Sequence, residues 1–455
     1  MASSSLVVRT SVPKEIMRGQ ISEVLIRSCS GPVVSRCVAP WLMLLPEFKE
    51  DSTVFKFYRL AEGDVIQVQH EQQVMMPDID SVCLGSLSKG WLVCIQPKDC
   101  LLFMFNPLSG KTIQLPSIET FPCVNGVIRN SVRVECFLNH QSIPLTPQRM
   151  SSYIVEKMIL SSPDPMEEDC IALVIYGPHQ RLAFCRRPGI AEANSWTALD
   201  GPLREYTQIV FHSGKKLFFA LTQDKELEAW DLHNDPTKRF LIQIEDIGCS
   251  DDWPSSAADD TELECKSCYC WDTDYLVYDH QSQELFVVTR YIAHGIAQDG
   301  TLILPVENAE REYPYKTQTF DVFKLDFIDH DRVELQYLPG SLGNRAFFIG
   351  SNPGFALSTT MFPELRPNSI YFTDDLTYAY IFREEPNCGG HDLGIYDCKE
   401  GSFLSCYYPV DVDKIQRILP APIWFTPDVD ATCLASTLGT QRAIKAHAEV
   451  ERTCR

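Results

Sequence analysis

Short apolar or alternating runs rich in Val, Ile, Phe and Tyr recur along the chain, at residues 91–95, 101–105, 171–176, 182–185, 217–221, 275–278, 285–289, 320–325, 346–349, 369–373 and 378–382. Runs of this length and composition fit β-strands. The punctuation between them agrees. Asn106-Pro107-Leu108-Ser109-Gly110 separates one run from residues 111–115 and predicts a tight hairpin. His212-Ser213-Gly214-Lys215 and residues 279–284 do the same before Leu217 and Leu285. Many short strands with regular turns indicate a sandwich, a barrel or a propeller. Apolar strand, turn, apolar strand and a closing Trp, Leu or Pro recur in residues 101–116, 182–199, 209–232, 275–325 and 370–408. A spacing of roughly 40–60 residues per unit suits propeller blades. The expected fold is therefore an all-β propeller of about six blades, with between about five and seven allowed by the length. Helical patterning is confined to the ends, at residues 14–27 and in the tail from 437 to 455. Residues 141–149 and 248–264 predict long loops, the second a solvated acidic one. The expected division is an N-terminal segment 1–39, a propeller domain 40–432 and a C-terminal tail 433–455 that is helical or disordered.

Composition narrows the choice. The chain has 455 residues, with 40 Lys+Arg against 61 Asp+Glu, a net charge of −21. A hydrophobic fraction of 45% with 22% charged residues excludes wholesale disorder. No apolar run reaches the roughly 18 residues that would suggest a membrane span. The acidic balance argues against nucleic acid, whose phosphates need a basic surface. The 18 cysteines are dispersed, many within apolar runs, and no Asn-x-Ser/Thr sequon occurs. Reduced thiols in the cytoplasm or nucleus are the expectation. Residues 1–10 lack the apolar core of a secretory signal. They are Ser-rich and no acid precedes Glu15, which also fits a mitochondrial or chloroplast transit peptide.

Motifs for chemistry mostly fail on spacing. Gly110-Lys111-Thr112 resembles the end of a phosphate loop, but Phe105 stands where that loop needs glycine. His70-Glu71 opens like a zinc-protease helix and lacks the second histidine. No Gly-x-Ser-x-Gly elbow is present. Cys265, Cys268 and Cys270 are the candidate metal ligands, three thiols at zinc-like spacing without an obvious fourth partner. Oxidation-prone loop thiols are the plainer expectation. Trp230-Asp231 and Trp271-Asp272 lie near the WD-repeat period, without the accompanying Gly-His pairs. Asp374-Asp375 after a strand suggests either a catalytic or metal-binding carboxylate pair, or, favoured here, a strand end capping a turn. No catalytic residue and no cofactor is expected.

Several strings resemble one family. Gly85-Ser86-Leu87-Ser88-Lys89-Gly90-Trp91-Leu92-Val93 leads to Phe105-Asn106-Pro107-Leu108-Ser109-Gly110 and Leu115-Pro116. Ser195-Trp196, Ile209-Val210-Phe211-His212-Ser213-Gly214-Lys215 and Phe320-Asp321-Val322-Phe323-Lys324-Leu325-Asp326 follow in order. Leu342-Gly343-Asn344-Arg345-Ala346-Phe347-Phe348-Ile349-Gly350 precedes the most specific string, Pro367-Asn368-Ser369-Ile370-Tyr371-Phe372-Thr373-Asp374-Asp375. Pro422-Ile423-Trp424-Phe425-Thr426-Pro427 closes the series. Over residues 40–427 the sequence resembles the plant KIB-type β-propeller family, F-box proteins of the domain-of-unknown-function 295 class. The resemblance implies a propeller that presents a partner behind an F-box docked on a Skp-type adaptor of a cullin ubiquitin ligase. Here the F-box is absent or degenerate: Pro13-Lys14-Glu15-Ile16-Met17 resembles its opening, and Ser35-Arg36-Cys37 is at most a remnant of its later part.

The expected function is a non-catalytic protein-interaction scaffold of the kind that serves as an SCF-type substrate receptor, its loops presenting a protein partner. An acidic surface favours basic partners. Neither nucleic acid nor a membrane is an expected partner. One rival is an F-box-less, organelle-targeted family member with no ligase role. The other is a hydrolase or lyase using the propeller funnel, since fold does not settle function.

Overall fold

A computed structural model describes residues 38–71, 76–78, 81–98, 100–129, 134–138, 145–146, 154–186, 188, 195–235, 239–245, 270–293, 315–329, 331–375, 390–404, 406 and 421–428. The helical expectations at 14–27 and 437–455, the strand at 378–382, the acidic loop 248–264 and nearly all of the loop 141–149 lie outside these residues.

The chain lays down antiparallel meanders in sequence. The first is β1 (Trp41–Phe48), β2 (Ser52–Arg59) and β3 (Asp64–Glu71). The second is β4 (Val82–Ser86), β5 (Leu92–Gln96), β6 (Leu101–Asn106) and β7 (Lys111–Gln114). A two-stranded hairpin, β8 (Val124–Arg129) with β9 (Val134–Leu138), follows. Then come β10 (Val155–Leu160), β11 (Ile171–Tyr176), β12 (Arg181–Arg186) and β13 (Thr197–Ala198). The next group is β14 (Tyr206–His212), β15 (Leu217–Thr222), β16 (Leu227–Trp230) and β17 (Arg239–Glu245). β18 (Cys270–Asp279), β19 (Glu284–Ala293), β20 (Lys316–Phe327) and β21 (Arg332–Tyr337) are the longest set. The last group is β22 (Arg345–Ile349), β23 (Gly354–Ser358), β24 (Ser369–Phe372), β25 (Gly394–Asp397) and β26 (Ser402–Leu404). Finally β27 (Ile423–Phe425) pairs antiparallel with β1 and completes the first sheet with a strand from near the other end of the chain.

Alternation within single strands explains why the sheets stack. In β11 every residue is buried. Ala172, Val174 and Tyr176 enter one apolar cluster, with β4–β7 residues such as Val93 and Met104. Ile171, Leu173 and Ile175 enter another, with Ile209 and Phe218. Successive side chains of a strand point to opposite faces, so a strand apolar at every position is sandwiched on both. β5, β15, β18 and β22 divide their residues between two clusters in the same way. The series closes on itself, because Leu42 and Trp424 pack with Ala346 and Phe348, while Met43 and Phe425 pack with Leu92 and Phe105. This is the propeller-like, all-β arrangement that the spacing of the runs predicts.

Three departures from simple meanders shape the interior. β17 pairs parallel with β21, β18 with β23 and β22 with β24, so the last three groups are joined by strand pairing into one thirteen-stranded sheet. Gly354 opens β23 because a Cβ there would lie 2.2 Å from the Leu276 carbonyl oxygen. Among the described residues no helix is long and apolar enough to cross a membrane.

Candidate functional site

The loops that follow β4, β10, β14, β18 and β27, together with β23, converge on one open cavity of about 410 Å³. Its walls are mainly apolar: Leu87 after β4, Ile159 and Leu160 at the end of β10, Val210 and Phe211 of β14, and Phe355 and Leu357 of β23. Met361 and Phe362, just beyond β23, form part of the rim, and Met361 is 54% exposed. An exposed methionine beside a cavity is unlike a scattered surface apolar residue, because its unbranched thioether adapts to whatever shape meets it.

Polar groups at this mouth are engaged with one another. Ser213 Oγ lies 3.0 Å from Tyr278 Oη, and Tyr278 Oη donates to Gln283 Oε1 at 2.7 Å. His212 Nδ1 accepts the Lys215 amide at 3.1 Å. Burial, reinforced by the Lys215 charge, pushes the His212 pKa down to about 4. Asp279 accepts the amides of Gln281 and Ser282, the Ser282 hydroxyl and Arg345 Nε, so it caps the β18–β19 turn. Asn352 donates through Nδ2 to the carbonyls of Ser86 and Trp424, which ties three sheets together beside the cavity, while its Oδ1 is buried without a hydrogen-bond partner. The rim continues into Asp164, Glu167, Glu168 and Asp169, an acidic stretch directly after the lining residues 161–163.

A second cluster is buried around Arg290 of β19. Its Nε donates to Thr317 Oγ1 at 2.7 Å, Nη1 to the Thr373 carbonyl at 2.9 Å, and Nη2 to Asp392 Oδ2 at 2.9 Å. Asp375 lies 3.5 Å from Nη1 and accepts the Tyr275 hydroxyl at 2.8 Å. Asp374 Oδ2 accepts the Tyr315 hydroxyl at 2.6 Å and lies 3.9 Å from His391 Nδ1. Burial raises the Asp374 carboxyl above its ordinary range, and the nearby Asp392 adds to the shift, while the His391 charge opposes it. Lys157 of β10 donates to Gln208 Oε1 at 2.8 Å, and burial lowers its pKa against the pull of Asp375 and Glu156. Asp374-Asp375 follow β24, as expected of a strand end, and they do more than end it. These carboxylates meet side chains distant in sequence and neutralise a buried guanidinium.

The other sequence candidates resolve individually. Gly110 ends the β6–β7 turn and Lys111-Thr112 open β7; within the turn Asn106 Oδ1 accepts the amides of Leu108 and Ser109. Trp230 ends β16, the third strand of its group, whereas Trp271 lies in β18, the first of the next, so the two Trp-Asp pairs are not equivalent. His70 lies on β3 with Nε2 2.6 Å from the Pro107 carbonyl oxygen. Cys265 and Cys268 lie outside the described residues, and Cys270 begins β18. No group of three or more potential metal ligands occurs among the described residues. Part of the lining, Ser86 to Lys89, Val210, Phe211, Ser213 and Thr426, falls within the family-like strings, but nothing in those strings marks it as a cavity wall. The other local mark is position at the end of the first strand of a meander, as in Ser161-Ser162-Pro163 and Asp279-His280.

Comparison with known proteins gives one strong result. The model of the KIB1-4 beta-propeller family matches residues 57–397. No curated protein matches. Similar solved structures include Hsv2 of Kluyveromyces lactis, 8% identical with a TM-score of 0.23, covering 66% of this chain and 98% of that one. Apo AztD of Citrobacter koseri is 10% identical with a TM-score of 0.27, covering 81% and 94%. The PQQ-bound aldose sugar dehydrogenase of Streptomyces coelicolor is 10% identical with a TM-score of 0.22, covering 57% and 84%.

Proposed function

Because the chain belongs to the KIB1-4 beta-propeller family, we propose that it is a non-catalytic scaffold that holds a protein partner at the mouth of this cavity. The observation that carries this reading is the cavity itself: apolar walls drawn from successive sheets, with Met361 exposed at the rim. A rigid scaffold that gathers its loops at one mouth is the usual geometry of recognition. The partner segment carries an apolar side chain for the cavity and basic residues for the acidic stretch Asp164, Glu167, Glu168 and Asp169. Asp279, which lines the cavity, is engaged in capping its own turn and in binding Arg345, which supports binding over hydrolysis. Six interleaved apolar clusters support counting the sheets as six blades, with β27 and β1 closing the ring.

On this reading the partner is delivered for ubiquitin transfer if residues 1–39 still engage a Skp-type adaptor, and the protein works in the cytoplasm or nucleus. Proximity labelling with the full chain, with residues 1–39 removed, and with Met361→Asp tests both halves. A shared set of neighbours lost only with Met361→Asp supports the cavity as the partner site. Recovery of adaptor and cullin components that depends on residues 1–39 supports the ligase role. An unchanged set of neighbours in Met361→Asp would falsify the cavity reading.

A further inference from the structure

β4 and β5 set Cys83 directly opposite Cys94. Cys94 belongs to the apolar cluster shared with β1, β2 and β27, and Cys83 packs against that same cluster. Leu84, the next residue, packs against the cluster on the other face of the sheet. The two sulfurs therefore share one face, and each shifts the other's titration, Cys83 down and Cys94 up. Both are free thiols. Opposed residues on antiparallel strands have Cα atoms about 4.5–5.5 Å apart. A disulfide spans roughly 4.4–6.8 Å between Cα atoms, so the bridge needs little backbone movement.

Access is the second observation. Both cysteines line one cleft of about 60 Å³ together with Met43, Phe55 and Ile423 of the closing sheet. Such a cleft admits a molecule of water's size. It is too small for glutathione disulfide.

We propose that Cys83 and Cys94 are an oxidisable dithiol that takes a small peroxide as its co-substrate and closes to a cross-strand disulfide. Cys83 is the attacking sulfur, since it is half-buried where Cys94 is fully buried, and the neighbouring Cys94 thiol lowers its pKa. The Cys83 thiolate displaces one oxygen of the peroxide, the O–O bond breaks, and the leaving oxygen takes a proton as water. The resulting sulfenic acid is attacked by the Cys94 sulfur, the S–S bond forms, and the sulfenic oxygen leaves as a second water. Two thiols lose two electrons and two protons, and the peroxide gains both. Among the described residues, Cys123 and Cys398 are poorer nucleophiles, because burial pushes them up to about 12.

The sequence makes the test clean. Trypsin cleaves after Arg59, Lys89 and Lys98, so the two cysteines fall in separate peptides, 60–89 and 90–98, each with a single cysteine. The folded full-length chain is treated with limiting hydrogen peroxide, blocked with an alkylating reagent and digested. The expected result is a linked 60–89/90–98 species that a reductant returns to two alkylatable peptides. In Cys94→Ser the link is lost, and Cys83 is captured as its sulfenic acid by a dione probe. Recovery of both peptides fully alkylated, at a dose that oxidises glutathione in the same tube, overturns the proposal. So does a link that forms only after denaturation. If Cys94→Ser does not fold, the measurement on the native chain decides alone.

Discussion

Arg290 shows how much a single side chain can organise. It is fully buried and hydrogen-bonded to side chains and carbonyls on β20, after β24 and before β25. Replacing it with methionine leaves Asp374, Asp375 and Asp392 without their cation. Breaking a buried ion pair by removing one partner costs about 3–5 kcal/mol. Arg290→Met is expected to lower the urea midpoint accordingly, with an unchanged slope. Arg290→Lys should recover only part of the loss, because an ammonium cannot reproduce the fork of donors. His212 offers a pH test. Its pKa is pushed down to about 4 in the fold, against about 6.5 unfolded. Between those values the unfolded chain binds a proton that the folded chain does not, so stability falls as the pH drops through that window and is intact above it. The slope from this group approaches about 1.4 kcal/mol per pH unit. Urea unfolding across that range should show the slope flattened in His212→Asn. Neither residue is legible in the sequence as a keystone. Thr289-Arg290-Tyr291 reads as the polar end of a strand, and its partners Thr373 and Asp392 lie 83 and 102 residues away.

At the level of elements the sequence is far more informative, and the reason is local. β11 coincides with the predicted run 171–176, because all six residues are apolar and a turn follows each end. The hairpins at Asn106, His212 and Asp279 are equally local and also hold. β18, β19 and β20 are longer than predicted. Asp272, Thr273 and Asp274 lie outside the predicted run 275–278, yet they pair in register with Tyr291, Arg290 and Thr289 of β19. Length there comes from pairing, which no single run reveals. The closing strand is the extreme case. Three residues flanked by prolines are a poor strand signal, but Trp424 of β27 is fully buried, lies 5.2 Å from the Phe348 ring and donates to the Ile349 carbonyl. Trp424→Ala is expected to cost about 3–5 kcal/mol, measured by chemical unfolding. Gly354→Ala should act differently. Its Cβ has no space against β18, so β23 must part from β18. Faster amide exchange confined to these two strands, with the remaining sheets still protected, is the expected signature.

At the scale of the molecule, the proposed function has charge and the cavity act in sequence on the same partner. A net charge of −21 attracts basic segments from beyond contact distance, and salt removes that attraction, the Debye length falling from about 10 Å at 0.1 M to about 3 Å at 1 M. Steering accelerates capture and does little to hold what is captured. Retention falls to the apolar contact at Met361 and Phe362. A central apolar anchor is commonly worth about 2 kcal/mol or more, which is roughly thirtyfold in affinity. For a partner recovered by proximity labelling, raising the salt should therefore slow association while leaving dissociation nearly constant. Met361→Asp should do the reverse, speeding dissociation by an order of magnitude or more. Met361 is more than half exposed, so the substitution should leave the unfolding midpoint in place. Ile328 is 43% exposed and stands outside the cavity lining, which makes Ile328→Asp the control for added charge on an exposed apolar position. If Ile328→Asp releases the partner as fast as Met361→Asp, the cavity mouth is not where the partner sits, and the acidic surface alone accounts for binding.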